Sequence, residues 1–434
     1  MAAHPSRPAG DRPVAPHGDA VDAADAIGAA RSIAAVVAAG RPWGEQHARL
    51  APEVVAALGE VGMFRLVAPR EVGGWEASPP TQLAVYEELG AADPSAAWCV
   101  SNAGVAGRVA AYLDDDARAV VFADPAASYA FSNLVAGSAV PVDGGYRVSG
   151  RWSVVSGATH ADWAVLGARI EAPAVAPEVA PGDPGGDLGR GSGGDAVRWM
   201  LLPAAELTVE PTWADASAMR ATGSHTVVVT DAFVPEALAH SWDRPVRVDC
   251  PLYRLRFTSV TGTSAAAISL GVLRSALAEL TATLSQYRSS LDDATPRDWP
   301  NVQLAVAELT ASSRAAWTGL LDAAESVWAA ADPGAGGVDG PDGVDGPDGV
   351  DGGGPTAAQR AALFAAADHA VQVSLGGVSR AFVCGTSAVL QRGHVLEQAL
   401  RDVHGMAVNW ERIRRMIFDS GRVLLGQDPR FRAL

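Results

Sequence analysis

The apolar residues of this 434-residue chain change their period twice, and that alternation limits the fold more than any single motif does. Up to about residue 126 they recur at helical spacing. Pro52-Glu53 opens a stripe of Val54, Val55, Leu58 and Val61 that stops at Gly62. A loop with Val72-Gly73-Gly74-Trp75 follows, then a helix expected over 81–90, and a third entered at Asp93-Pro94-Ser95 and running through Trp98. Between about 127 and 240 the pattern shortens into β-rich runs at 129–133, 146–152, 163–169, 198–202 and 226–234. From about 250 onward it is helical again, with strong segments at 253–289, 300–331, 356–391 and 394–426. Long helices with short connections predict an antiparallel bundle. The last segment has the most regular stripe: Leu396, Leu400, Val403, Ala407, Trp410, Ile413 and Ile417. The expected fold is therefore α+β: an N-terminal helical domain (23–126), a small central β-domain (127–240) and a C-terminal four-helix bundle (250–434).

Three stretches are too polar or too rich in Gly and Pro to add to a core: the lead 1–22, an insertion at 172–196 and an acidic linker within 332–355. The linker repeats PDGVDG, but its units have no core to stack. The lead has no apolar h-region and predicts a disordered start, not a signal peptide. Cys99, Cys250 and Cys384 form no CxxC, so neither a disulfide framework nor a zinc site is expected, and a reduced cytoplasm is the default. The net charge of −16 argues against nucleic acid or an anionic membrane as partner. No apolar run predicts a bilayer span, and the scattered histidines predict no metal.

Residues 145–169, GYRVSGRWSVVSGATHADWAVLGAR, give a turn, a strand, a polar corner at 152–157 and a second strand from Trp163. Two further segments stand beside it in the pattern. One is Phe131-Ser132-Asn133 with Gly137-Ser138. The other is Trp213 followed by Ala218-Met219-Arg220-Ala221-Thr222-Gly223-Ser224-His225. Taken in order with the helix ADPSAAW, these segments resemble the acyl-CoA dehydrogenase superfamily, and most of all its branch of flavin-dependent monooxygenases. The resemblance covers nearly the whole chain outside the lead and the two insertions.

It implies a flavin between β-domain and bundle, with reduced FAD or FMN as cosubstrate and O2 as oxidant. Ser156 would hydrogen-bond the ring near N5, and Val154 and Val155 would lie on the strand beneath it. Ser132, Asn133 and Gly137 would meet its pyrimidine side; Arg220, Thr222 and Ser224 would belong to a hairpin packed on the pocket. The resemblance also implies a homotetramer in which a neighbour completes the site, a separate flavin reductase, and a small aromatic or nucleophilic organic substrate.

The choice of chemistry turns on acid and base groups. A dehydrogenase of this superfamily takes an α-proton with a carboxylate, yet the matching C-terminal stretch is Asp419-Ser420-Gly421-Arg422-Val423, without Glu. Its EPGAGSD loop is replaced by Asn133-Leu134-Val135-Ala136-Gly137-Ser138. The oxygenase signature resembles PLQR-x-x-RD-x-x-x-x-x-x-H. Arg401-Asp402 fits its core, but Gln398 stands for an Arg and Asn409 for the terminal His. Asn409 and, one turn earlier on the opposite flank, His404 are therefore the candidates for work at the substrate, alongside Ser156. An acyl-CoA or acyl-carrier-protein dehydrogenase or oxidase, and a catalytically silent flavin- or metabolite-binding protein, remain the alternatives at this point.

Overall fold

Proline and acidic caps set where the N-terminal helices begin. The structure, a computed structural model, describes residues 23–171, 197–242, 244–286, 295–331, 354–411 and 413–430. The expected lead, the 172–196 insertion and residues 332–353 of the acidic linker lie outside them. The first helices are α1 (Ala23–His47), α2 (Pro52–Glu60), α3 (Pro79–Ala92), α4 (Pro94–Ala110) and α5 (Asp115–Val121). Pro occupies the first turn of α2, α3 and α4, where no N–H is needed. Asp93 caps α4 by accepting from Ser95 N at 2.8 Å, and Asp114 caps α5 by accepting from Ala117 N at 2.8 Å.

The β-domain is one seven-stranded sheet in the order β5-β6-β2-β1-β3-β4-β7. Its strands are β1 (Tyr129–Val142), β2 (Gly145–Val155), β3 (Trp163–Ile170), β4 (Val197–Pro203), β5 (Thr208–Glu210), β6 (His225–Pro235) and β7 (Ala239–His240). Among the described residues only β1–β3 is parallel; the other strand pairs are antiparallel. The sheet is larger than the five runs of the sequence pattern. β1 continues through Gly137-Ser138 because two register shifts carry it past Ser132–Val135, which breaks the alternation that marks a strand. Trp152 fills the middle of the sheet core, fully buried, with Nε1 donating to the Gly167 carbonyl at 2.8 Å. Gly137 lies flat against this indole: a Cβ there would come within 2.3 Å of Trp152 Cζ2.

The C-terminal region contains α6 (Pro251–Arg254), α7 (Phe257–Thr261), α8 (Ser264–Gln286), α9 (Pro300–Ala331), α10 (Ala357–Cys384), α11 (Val395–Glu411) and α12 (Arg415–Leu424). The expected helix over 253–289 is broken, and a buried cation accounts for it. Arg108 of α4 donates to the carbonyls of Leu252 (2.9 Å), Tyr253 (3.2 Å) and Leu255, oxygens that a continuous helix would use internally. Tyr253 Oη donates to the Val67 carbonyl at 2.9 Å, tying the same segment to the N-terminal domain. The third segment ends early, at Cys384, and the last divides into α11 and α12. Long helices α8, α9, α10 and α11 then make the bundle, with α3 of the first domain packed along α8.

The expectation about membrane spans needs correction. Three stretches, Ala23–His47, Phe257–Ser285 and Ala357–Cys384, are long and apolar enough to cross a bilayer by length and composition. Alanine supplies much of that apolarity, and in the fold it buries faces such as Ala26, Ala30, Ile33 and Val37 against neighbouring helices.

The Gly137–Trp152 contact gives a test of the β-domain. Gly137→Ala forces the indole or the strand to move, at a cost of roughly 1–3 kcal/mol. The urea midpoint of the cofactor-free protein should fall accordingly, with an unchanged slope.

Candidate active site

Regular pairing fails where β2 ends, and the site begins there. The β2–β6 register slips between Trp152 and Val155, and Val154 takes φ 56°. A β-branched residue in that left-handed region costs about 1–3 kcal/mol, which the surroundings must offset. The result leaves the Val154 side chain 47 % exposed, an apolar surface at the corner. Ser156, two residues on, is buried and bridged antiparallel to Phe131 of β1.

The Ser156 hydroxyl stands in a file of polar groups. Trp98 Nε1, from α4, donates to Ser156 Oγ at 3.0 Å. Ser156 Oγ is 2.8 Å from Ser224 Oγ, and Ser224 Oγ is 2.7 Å from Thr222 Oγ1. Thr222 Oγ1 donates to the Met219 carbonyl at 2.7 Å. The loop carrying this file is closed on the corner by Gly157 N, which donates to the Thr222 carbonyl at 2.9 Å.

Charges hold the other side of the loop. Asp402 of α11 accepts from Met219 N at 2.7 Å through one oxygen and pairs with Arg41 of α1 at 2.9 Å through the other. Arg401 pairs with Glu397 at 2.6 Å and Glu45 at 2.9 Å, and also donates to the Ser217 carbonyl. Gly405, one turn further, lets α11 approach so closely that a Cβ would meet Ala218 Cβ at 2.8 Å. The Arg-Asp pair of the sequence motif is thus a clasp joining bundle, β-domain loop and first helix. Asn409 is half-buried and shares the helical face of Asp402 and Gly405; His404 is exposed on the opposite one.

Ser132, Ser156, Thr222 and Ser224 are all buried. Ser132 Oγ accepts from Leu134 N at 3.3 Å, in the bulged part of β1, and Asn133 beside it is half-buried. Val155 is fully buried in the sheet core and Gly137 is covered by Trp152, so both can meet a ligand only through backbone. Arg220 sits in the 3-10 turn Arg220–Thr222, half-buried. Phe131 continues the corner as an aromatic wall, with ring centroids 5.5 Å from Trp199 and 6.3 Å from Phe257.

The histidines near the corner are neutral. Burial, then the charge of Arg49, pushes His160 down to about 4. Burial also lowers His225, whose Nδ1 accepts from Trp213 N at 3.0 Å. Asp419 of α12 is a buried carboxylate, and it is already engaged within the fold. Among the described residues no group of three His, Cys, Asp or Glu side chains is placed to hold a metal.

Trp98 and Arg41 carry no expectation from spacing, because both lie on Ala-rich helices far from the corner in sequence. A sign was available in Arg41, Glu45 and Asp93, charged residues set into otherwise apolar helical stretches. A flat cofactor suits this place. Arg220 Nε, Thr159 Oγ1 and His160 Nδ1, on the segments flanking the hydroxyl file, are buried without a protein partner. Together with exposed Val154 they offer one apolar surface and several unfilled polar positions.

Comparison with known proteins agrees with this geometry. The acyl-CoA dehydrogenase N-terminal domain matches residues 27–121, and the acyl-CoA dehydrogenase C-terminal domain matches residues 263–409. The chain belongs to the acyl-CoA dehydrogenase superfamily, and the relatives and solved structures it resembles are flavin-dependent monooxygenases. Among its relatives is the flavin-dependent monooxygenase oxygenase subunit HsaA of Mycobacterium tuberculosis, 29% identical over 64% of this chain and 68% of the relative. Another is the indole-3-acetate monooxygenase of Pseudomonas putida, 28% identical over 65% of this chain and 68% of that one. The structure of XiaF from Streptomyces sp. in complex with FADH2 and glycerol superposes with TM-score 0.77. It is 26% identical, covering 95% of this chain and 98% of XiaF.

The clasp contains a titratable strain. Asp93 is buried near Arg41 and Asp402; burial raises its carboxyl from 3.8 to about 6, against the pull of Arg41 and with the push of Asp402. The native state then holds the proton more tightly than the unfolded chain, so stability present below about pH 4 is lost as pH rises through 6. Asp93→Asn keeps an oxygen to cap α4 and removes this loss. The variant should exceed wild type by roughly 2–4 kcal/mol at pH 7.5 and converge with it at pH 4 in denaturant titrations.

Proposed function

We propose that this chain is the oxygenase component of a two-component system, taking reduced FAD or FMN from a separate reductase and using O2 to oxygenate a small aromatic substrate. The observation that carries this is the corner itself: strained, exposed Val154 beside the buried hydroxyl file of Ser156, Ser224 and Thr222. Reduced flavin, once bound there, supplies the electrons that activate O2 for transfer of one oxygen atom. The chain's own part is to bind, orient and keep water out. Val154 gives the ring an apolar seat, Ser156 meets its polar edge near N5, and backbone of 132–137 and Arg220 complete the contact. The wall of Phe131, Trp199 and Phe257 supports a flat apolar substrate and a dry pocket. The relatives' names, which include an indole-3-acetate monooxygenase, favour an aromatic one.

Asn409 replaces an ionisable residue on the face of α11 turned to the clasp. Its amide donates and accepts but takes no proton near neutral pH, so it orients the substrate instead of activating it. His404 would act as base only from the exposed flank of α11, toward a neighbouring subunit. A homotetramer is supported by large apolar side chains left open on the bundle: Val383 80 %, Val408 72 % and Phe418 76 % exposed. Cys99, Cys250 and Cys384 are all free, which suits a reducing cytoplasm.

Equilibrium titration with oxidised and anaerobically reduced flavin, followed by turnover with a reductase and candidate phenols or indoles, tests this function. Ser156→Ala should weaken reduced-flavin binding by about tenfold, the worth of one hydrogen bond. Asn409→Ala should leave flavin binding intact and lower coupled oxygenation by about tenfold, the worth of one orienting hydrogen bond. Bleaching of bound oxidised flavin by an acyl-CoA would move the chain to the dehydrogenases. A His404→Ala variant that alone erased an ionisation near neutral pH would move the base from the substrate to His404.

A further inference from the structure

We propose that Thr222 and Ser224, with Trp98, are positioning residues that turn Ser156 into an obligate hydrogen-bond acceptor toward the cofactor, so that the site selects flavin by the proton on N5. The inference rests on the flavin reading above, and it follows from counting protons along the file. The Met219 carbonyl can only accept, so the Thr222 hydroxyl spends its proton there, at 2.7 Å. Ser224, 2.7 Å from Thr222 Oγ1, must then be the donor in that contact. Ser156, 2.8 Å from Ser224 Oγ, must be the donor in the next. The indole N–H of Trp98 fills one of the two Ser156 lone pairs at 3.0 Å. Ser156 is left with a single lone pair and no proton to give.

Reduced flavin carries a proton on N5 and donates; oxidised flavin presents a lone pair at the same atom and can only accept. A Ser156 locked as acceptor therefore completes a hydrogen bond with the reduced form and sets two lone pairs against each other with the oxidised form. An ordinary serine, whose hydroxyl rotates freely, would serve both forms equally. The direction is decided at Met219, three side chains away from the cofactor edge. It is held there because Met219 is fixed by its own N–H on Asp402 at 2.7 Å. The clasp between bundle and β-domain thus also fixes which way the protons point.

Removing the end of the file should release its direction. In Thr222→Val the Ser224 proton is freed to turn toward Ser156, and the Ser156 proton to turn toward N5. Ser224→Ala frees the Ser156 proton directly. Dissociation constants for oxidised and reduced FMN and FAD, measured anaerobically, together with the midpoint potential of the bound flavin, read the effect. The preference for reduced over oxidised flavin should fall about tenfold in both variants, a shift of about 30 mV in a two-electron potential. Thr222→Ser, which restores the hydroxyl, should return the wild-type ratio. Should the valine variant fail to fold, Ser224→Ala carries the test alone. An unchanged ratio in a folded variant overturns the proposal, and so does a Thr222→Ser shift as large as that of valine, since packing and not proton order would then be the cause. Wild-type protein that binds neither flavin form would instead overturn the flavin reading, and the proposal with it.

Discussion

The Asp402 carboxylate is the contact on which the rest of the site depends. Its two oxygens reach Met219 N at 2.7 Å and the Arg41 guanidinium at 2.9 Å, so one side chain of α11 joins α1 and the β-domain loop. Both partners are mostly shielded from solvent, at 12 % and 7 % side-chain exposure, where a charge-assisted bond is strong and an unpaired charge is costly. Loss of Asp402 would take the carboxylate from Arg41 and the acceptor from Met219 N together, a penalty on the order of 3–5 kcal/mol. Met219 itself has φ 51°, and this bond is what offsets the strain of presenting its N–H to the bundle.

The site is assembled from places where regular structure gives way. Val154 and Met219 are both left-handed non-glycine residues, one at the end of β2 and one before β6. The register shifts of the central strand β1 fall at the same end of the sheet, near Ser132. Bulges and strained residues re-aim side chains that a flat ladder would send alternately up and down. Here they bring hydroxyls from two separate loops and an indole from α4 into one line.

Charge is kept out of this line. Among the described residues the hydroxyl file hydrogen-bonds no carboxylate or guanidinium, and burial lowers the histidines near it. The buried cations Arg65 and Arg108 instead donate through their terminal nitrogens to main-chain carbonyls, where they set the path of the chain. A neutral, hydrogen-bonded corner beside an aromatic wall suits a cofactor that brings its own electrons and needs orientation more than protein charge.

The domain order was legible in sequence because burial imposes a period on each kind of element, and the periods differ: 3.6 residues for α2 or α11, two for much of β2. The cap Asp93 and the first-turn Pro52 marked helix starts, since their effect is local. The serine corner and the segment from Met219 to Ser224 stood out for the same reason, as short runs of unusual composition. What spacing could not show is which partner each polar group finds. Trp98 reaches Ser156 across 58 residues, and Arg41 reaches Asp402 across 361. Such pairs follow from how whole domains dock, and no local pattern encodes them. Arg108 broke an expected helix at residues 252–255 in the same way, by taking its carbonyls from outside. The sequence determined the elements and the chemistry of their side chains; the tertiary structure alone decided which hydroxyl donates to which, because the direction of a hydrogen-bond file is set by the group at its far end.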